Sequence, residues 1–362
     1  MKALIVGGGI GGLSAARELA LRGIPARVLE RAPQLNPVGA GIIMNPNAMR
    51  VLERNGLAGR VRADSWPYLT RETRDASGRL LALRDYRPLY DAGKLAPGAL
   101  VHRAHLLDVL YRSLPPETVA FGKAAGIGDW GEEDLVIAAD GIHSRVRKEA
   151  FDDAPRRYMG YRSHRLVMEN VAGVRCFTEY LGRGQRIGLV PIGEHRLYVW
   201  TTFNSPPDER PAPALARQFA QFTAPELVRL FSALPPPESI ITTEIEELWA
   251  ENWFHKNIVL LGDAAHALTP NIGQGAGMAM EDAAVLAEEL AAGGKIEDAL
   301  GRYVRRRRPR VETVMRISRE VGRDGQRSGA LGCWLRNRRV ARAGRDVEKA
   351  QAELERLLAL TG

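Results

Sequence analysis

Apolar positions along this chain recur with two different periods, and the switches between them mark the elements. Residues 2–6 form a short apolar run that enters Gly7-Gly8-Gly9-Ile10-Gly11-Gly12. Beyond the glycines, Leu13, Ala16, Leu19 and Ala20 recur at helical spacing, and a second apolar run, 26–29, ends on Glu30. Strand, glycine turn, helix, strand and acid predict a βαβ unit. Asn45-Pro46-Asn47 suits a turn and N-cap ahead of a helix over 48–55, whereas 66–98 loses periodicity and predicts an excursion from the first sheet. Val101-His102-Arg103 opens a helix carrying Leu106, Leu107, Leu110 and Tyr111, and a buried strand over 134–139 ends in Asp140-Gly141-Ile142-His143-Ser144-Arg145.

From 158 to 203 the pattern becomes short strands separated by turns, at 176–181, 186–190 and 196–203, which predicts an antiparallel sheet in a second domain. Alternation in the last of these puts Tyr198, Trp200 and Thr202 on one face, with Arg186 opening the neighbouring strand. A proline-rich break over 206–213 precedes a helix over 214–234, which Pro235-Pro236-Pro237 ends. A strand over 257–261 then runs into Gly262-Asp263-Ala264-Ala265-His266, and Pro270-Asn271-Ile272-Gly273-Gln274-Gly275-Ala276-Gly277 leads into a helix over 278–290. Two more helices, 296–321 and 347–358, close the pattern. The first carries an apolar stripe, Val304, Val311, Val314, Met315 and Val321, fit to dock on the first domain.

Gly7, Gly9 and Gly12 complete G-x-G-x-x-G, with Gly11 inside the same turn. In a βαβ unit the three positions serve the tight turn, the approach of a pyrophosphate to helix N-terminal N–H groups, and helix–sheet packing. Glu30 stands where a carboxylate accepts the hydroxyls of an adenosine ribose, so the unit is expected to hold the ADP half of a dinucleotide. A second literal match, Gly126-Ile127-Gly128-Asp129-Trp130-Gly131, precedes a strand rather than a helix and is read as coincidence. The glycines at 273, 275 and 277 ahead of the helix expected over 278–290 leave N–H groups bare and pointing one way, which with the helix's positive end suits a ligand edge that carries negative charge.

Composition narrows the class. With 362 residues, 45% hydrophobic and 26% charged, the chain has material for two cored domains. It contains no run of eighteen apolar residues, so no membrane span is expected. Cys176 and Cys333 make no C-x-x-C pair and read as two buried thiols of a cytoplasmic protein; no His/Cys cluster suggests a metal. The net charge of +8 is concentrated over 302–345, where 15 arginines face Glu312, Glu320 and Asp324. Nucleic acid or an anionic membrane surface could use such a face, but without a nucleic-acid module or aromatic platform it is read as a solvated helical face.

Four motifs in order, the glycine turn with Glu30, Val101-His102-Arg103, Ala139-Asp140-Gly141-Ile142-His143-Ser144-Arg145, and Gly262-Asp263-Ala264-Ala265-His266 followed by the 270–277 stretch, resemble the single-component, group A flavoprotein aromatic hydroxylases. The resemblance implies an α/β fold: a Rossmann-like FAD-binding domain (1–66, 101–157 and 255–310) interleaved with an antiparallel β-sheet substrate domain (67–100 and 158–254), then C-terminal helices (311–362). It implies noncovalent FAD held through Gly7, Gly9, Gly11, Gly12, Glu30, Arg31, Arg103, Asp140, Asp263, Gly273, Gln274, Gly275, Ala276 and Gly277. It also implies NAD(P)H as a transient co-substrate, since only one nucleotide fold is present. The implied reaction uses O2 to hydroxylate a small aromatic or heteroaromatic ring, purine-like rings included, through a flavin hydroperoxide.

Urate-type members of the family carry an arginine and a tyrosine at the positions of Arg186 and Tyr198, and usually an acid where this chain has Asn271; these three are the substrate-pocket candidates. No acid–base dyad is required, and His143 and His266 are not assigned as bases. One departure from the family is the short stretch 124–133, where two further strands are usual. It keeps two alternatives open, a flavin oxidoreductase that does not oxygenate and a flavin-fold binding protein without turnover.

Overall fold

The computed structural model describes residues 1–35, 40–125, 133–151, 154–207, 215–346, 351–353, 355 and 357. The second glycine match at 126–131 lies outside the described residues, as does most of the helix expected over 347–358.

Strands β1 (Ala3–Val6), β2 (Ala26–Glu30), β8 (Val119–Phe121), β9 (Leu135–Ala138), β15 (Phe254–His255) and β16 (Ile258–Leu260) form one sheet in the order β15-β16-β9-β1-β2-β8. All neighbours in it are parallel except β15 and β16. Strands β3 (Gly41–Met44), β4 (Ser65–Tyr68) and β7 (Gly98–His102) make a small antiparallel sheet. The remaining seven are β5 (Thr70–Asp75), β6 (Leu80–Asp85), β10 (Arg157–Glu169), β11 (Phe177–Leu181), β12 (Gln185–Pro191), β13 (Arg196–Asn204) and β14 (Ile241–Glu247). They are ordered β14-β10-β13-β12-β11-β5-β6, antiparallel apart from β11 and β5.

The described helices are α1 (Ile10–Leu21), α2 (Pro46–Arg54), α3 (Ala58–Ala63), α4 (Arg87–Asp91), α5 (Arg103–Tyr111), α6 (Arg145–Ala150), α7 (Leu215–Gln218), α8 (Pro225–Ser232), α9 (Asp263–His266), α10 (Gly275–Ala291), α11 (Ile296–Gly325) and α12 (Ala330–Ala343).

The parallel sheet is covered on both faces, so β1 and β9 are continuous apolar runs, fully buried from Ala3 to Ile5 and from Leu135 to Ala138. In the seven-stranded sheet the two faces differ. Leu197, Val199 and Phe203 of β13 pack with Phe219, Phe222, Leu227 and Leu230, while the alternate residues Tyr198, Trp200 and Thr202 line a cavity. The predicted period-2 split of this strand is therefore the split between core and site.

Several elements depart from expectation for local reasons. Val101 and His102 finish β7 instead of opening a helix; the His102 imidazole then accepts the Ala104 N–H at 3.2 Å and caps α5. Pro225 starts a new helix, so the run expected over 214–234 divides into α7 and α8. Strands β10 and β14 and helix α12 were not expected. Helix α11 continues as one rod through residue 310, where a domain boundary was expected.

The arginine-rich region is not a solvated face throughout. Arg307 and Arg336 are 2% and 3% exposed. Arg302 and Arg306 bind Glu289, Arg310 binds Glu281, and Arg319 binds Glu247. The stripe does dock as expected, with Val311, Val314 and Met315 buried against the parallel-sheet core. Of the two cysteines, both free, Cys333 is buried and Cys176 only half-buried.

Candidate active site

The glycine turn is tight at Gly7 and Gly12 and open at Gly9. Gly7 sits at φ +106° with the Ala139 carbonyl 2.5 Å from where a Cβ would be, and a Cβ on Gly12 would meet the Gly7 carbonyl at 1.9 Å. Gly9 has nothing within 4 Å, so its outer side is open space. Gly11 is a packing position, its added Cβ 2.9 Å from Leu261. The open side faces a cleft of about 510 Å3 lined by the turn, Glu30, Arg31, Arg103, Lys123 and Asp140. Glu30 is oriented by two backbone donors, the N–H groups of Gly8 at 2.6 Å and Ala32 at 2.8 Å.

Asp140 leaves β9 and turns back over α6, where its Oδ2 accepts the Arg145 N–H at 2.8 Å. Its Oδ1 is buried with no hydrogen-bond partner among the described residues. A buried acceptor left open in a cleft lined by donors is a position for a ligand.

Arg103 and His143 also line a second cavity of about 700 Å3, so the two chambers adjoin. This one lies between the start of α10 and the seven-stranded sheet and contains Arg186, Tyr198, Asn271, Asp263, Gly273, Gly275 and Ala276. The sequence candidates are thus brought together. Gly273 takes the left-handed conformation at φ +63° that redirects the chain into α10, and its carbonyl accepts from Asn45 at 2.8 Å. Gly275 has open space where a Cβ would project. Gly277 and the Gln274 side chain face inward instead: a Cβ on Gly277 would meet Asn47 at 2.8 Å, and Asn47 exchanges hydrogen bonds with Gln274. Gln274 and Gly277 can therefore reach a ligand only through backbone N–H groups of the first turn of α10, which have no intrahelical acceptors.

Asp263 is the first residue of α9, preceded by Gly262 as N-cap, so it is not itself the cap. Its carboxylate is open to the cavity yet enclosed by protein at that depth. Burial pushes it above the usual carboxylate range, with His266 and Arg103 partly opposing the shift. Arg103 is shifted downward by burial and by Arg165, and Asp263 partly restores it. His266 is turned away into the core, its Nε2 2.6 Å from Asp282 and its Nδ1 buried without a partner among the described residues.

On the sheet side Arg186 is 1% exposed. It donates to Glu179 and Thr202, each at 3.2 Å, and to Asn271. Those bonds engage three of the five guanidinium donors. The Asn271 amide donates to Thr269 and the Ser318 carbonyl, so it is held by the protein on both ends. Tyr198 is pushed up to about 12 by burial, against the opposing effect of Arg165, and at neutral pH it is a hydrogen-bond donor. Arg165 was missed. It projects from β10 into the cavity with Ser163, donating to Thr243 at 2.7 Å. Its signal was period 2, since Ser163 and Arg165 share one face of β10 while Leu166 and Met168 pack on the other.

The family model described as FAD binding domain matches residues 1–96 and 132–318. Aurachin C monooxygenase/isomerase of Stigmatella aurantiaca is 34% identical, the match covering 92% of each chain. The 2-heptyl-3-hydroxy-4(1H)-quinolone synthase of Pseudomonas aeruginosa is 31% identical over 93% of each. Among solved structures, a Klebsiella pneumoniae protein complexed with FAD and uric acid superposes with a TM-score of 0.87 at 27% identity, covering 100% of this chain and 98% of that one. The fold, the two adjoining chambers and these likenesses agree: the chain belongs to the FAD-binding family of single-component flavoprotein aromatic hydroxylases.

Proposed function

We propose that this protein is an FAD-dependent monooxygenase that consumes NAD(P)H and O2 to hydroxylate a small planar aromatic or heteroaromatic ring, purine-like rings included. The carrying observation is the pair of chambers meeting at Arg103 and His143, one lined by the glycine turn and Glu30 and the other walled by polar sheet residues. Bound FAD would supply the redox chemistry and the activation of oxygen.

The residues present fit that cofactor. Glu30 would accept the adenosine ribose hydroxyls, and the α1 amides beside Gly9, with Arg31 nearby, would meet the pyrophosphate. Asp140 would use its open oxygen, while Arg103 and Asp263 would hold the ribityl-pyrophosphate part. The first-turn amides of Gln274, Gly275, Ala276 and Gly277 would face the pyrimidine edge and stabilise negative charge there. On the opposite wall Tyr198 would donate to a ring oxygen, Arg165 and Arg186 would orient an electron-rich ring, and the covering sheet would exclude water. Under this reading the FAD-binding domain comprises 1–66, 101–157 and 255–310, with 67–100 and 158–254 forming the substrate domain. NAD(P)H would visit and leave.

Two results test this reading. Asp263→Ala is expected to weaken FAD binding by about 1.5–3 kcal/mol, the range for a lost hydrogen bond to a charged group, measured by titrating apoprotein; unchanged affinity would remove Asp263 from the cofactor site. A panel of phenols, hydroxypyridines, salicylates, urate, polycyclic aromatics and 4-quinolones is expected to contain a compound that both speeds NAD(P)H oxidation and gains one oxygen atom from isotopically labelled O2. Stimulated oxidation yielding only peroxide across the panel would favour an oxidoreductase without oxygenation. A yellow protein indifferent to every member would favour the binding-protein alternative.

A further inference from the structure

We propose that the outer face of α12 docks this protein on an anionic lipid bilayer surface. Three large apolar side chains stand in solvent there, Leu331 at 69%, Trp334 at 51% and Leu335 at 48% exposure. They occupy one turn at spacing i, i+3 and i+4. The same stripe continues through Arg338 and Arg342, both exposed, and Arg345 is exposed just beyond the end of the helix. The guanidinium of Arg338 lies over the Trp334 ring at 4.7 Å, joining the two halves of the stripe.

The orientation of the helix is fixed from its inner side. Cys333 and Arg336 are buried, and Arg336 donates to the carbonyls of Gly182 at 2.9 Å and Gly325 at 3.2 Å. The apolar turn is therefore held outward by the body of the protein. Beyond α12, Glu355 pairs with Lys94 and the Leu357 carbonyl accepts from Arg310. On α11 most of the corresponding arginines are engaged by carboxylates, whereas Arg338 and Arg342 of α12 face solvent.

The chemistry of the stripe selects among occupants. A bilayer surface accepts both halves, with leucines and an indole entering the headgroup–acyl boundary while guanidinium groups meet lipid phosphates. A nucleic-acid backbone would satisfy the arginines but leave Leu331 and Leu335 against phosphates. A two-fold contact stacking the apolar turns on each other would bring two arginine rows together if parallel, and if antiparallel would leave both rows without an anionic partner.

The test is co-sedimentation of the full chain, loaded with FAD, with vesicles of phosphatidylglycerol and phosphatidylcholine in equal parts and with phosphatidylcholine alone. Binding is expected to favour the mixed vesicles by about tenfold or more and to weaken as salt rises. Leu331→Ser/Trp334→Ser/Leu335→Ser and Arg338→Glu/Arg342→Glu are each expected to lower it by about tenfold or more, in proteins whose melting temperature and flavin absorbance match the parent. Parent-like binding by either variant would overturn the proposal. So would the absence of vesicle binding, tighter binding to duplex DNA than to mixed vesicles, or self-association that the triple substitution abolishes.

Discussion

Alanine in place of Arg307 is expected to lower folding stability by about 3–5 kcal/mol, the cost of breaking a buried ion pair from one side. Arg307 reaches from α11 into the core beneath α10, with Nε 2.7 Å from Asp282 and Nη1 2.5 Å from Glu281. Asp282 also accepts from the Gly262 N–H at 3.0 Å, and Glu281 from Asn47 at 2.8 Å, so one cation steadies both loops that carry the Asp263 and Gly273–Gly277 elements. Burial by itself raises the Asp282 carboxyl; His266 and then Arg307 more than reverse that and hold it at about 2. Glu281 is likewise held below the usual range by Arg307 and Arg310 against the effect of burial. Because both folded-state values are depressed, their stabilisation is present above the unfolded carboxylate pKa of about 4 and is lost as pH falls toward 2. Denaturant midpoints of the parent are expected to fall steeply across that window, and those of Arg307→Ala to start lower and fall less. A variant within about 1 kcal/mol of the parent at neutral pH would mean that the network does not hold the core.

Residues whose role depends on local backbone geometry were legible in the sequence. Gly7, Gly9 and Gly12 act within one turn and were located by spacing, whereas Asp140 and Asp263 follow strands that end in short motifs and were located by the resemblance of those motifs to a known family. Arg307 was not legible. It sits in a run of four arginines, 305–308, and which of them points inward is set by the phase of a 30-residue helix against α10. Arg165 was hidden for a related reason, because β10 presents Arg162, Ser163, His164 and Arg165 in succession and polar residues on both faces conceal the alternation. The buried polar side of α12 reverses the usual pattern, with Arg336 inside and Leu331 and Leu335 outside, so no apolar stripe announced the helix. Gly277 carries a second constraint that spacing did not reveal: an added Cβ would meet Asn47 at 2.8 Å, so packing alone already requires glycine there.

Glu179→Ala is expected to cost about 3–5 kcal/mol, whereas Arg186→Met should cost no more than about 1–2, and this asymmetry separates the fold from the substrate wall. Glu179 is buried between two guanidinium groups, Arg71 and Arg186, with Arg336 close enough to be influenced by both Glu179 and Arg186. Removing the carboxylate leaves buried cations facing one another. Removing Arg186 leaves Glu179 and Arg71 as a balanced pair, while methionine retains much of the stem that Gly325 of α11 packs against, where an added Cβ would lie 2.6 Å from the Arg186 Cδ. The cluster thus carries more positive charge than its own carboxylate neutralises, and Arg186 has N–H donors to spare at the cavity wall. A ring bearing an ionised oxygen or a carboxylate would supply the missing negative charge. Arg186→Met is therefore expected to keep its FAD content and most of its stability but to raise the KM for the ring substrate, or uncouple NAD(P)H oxidation from hydroxylation, by about tenfold or more, as the loss of a charged hydrogen bond predicts. Loss of flavin and stability in step with activity would instead make Arg186 a sheet residue, and an unchanged KM and coupling in a stable, yellow variant would move recognition of the ring to Arg165 and Tyr198.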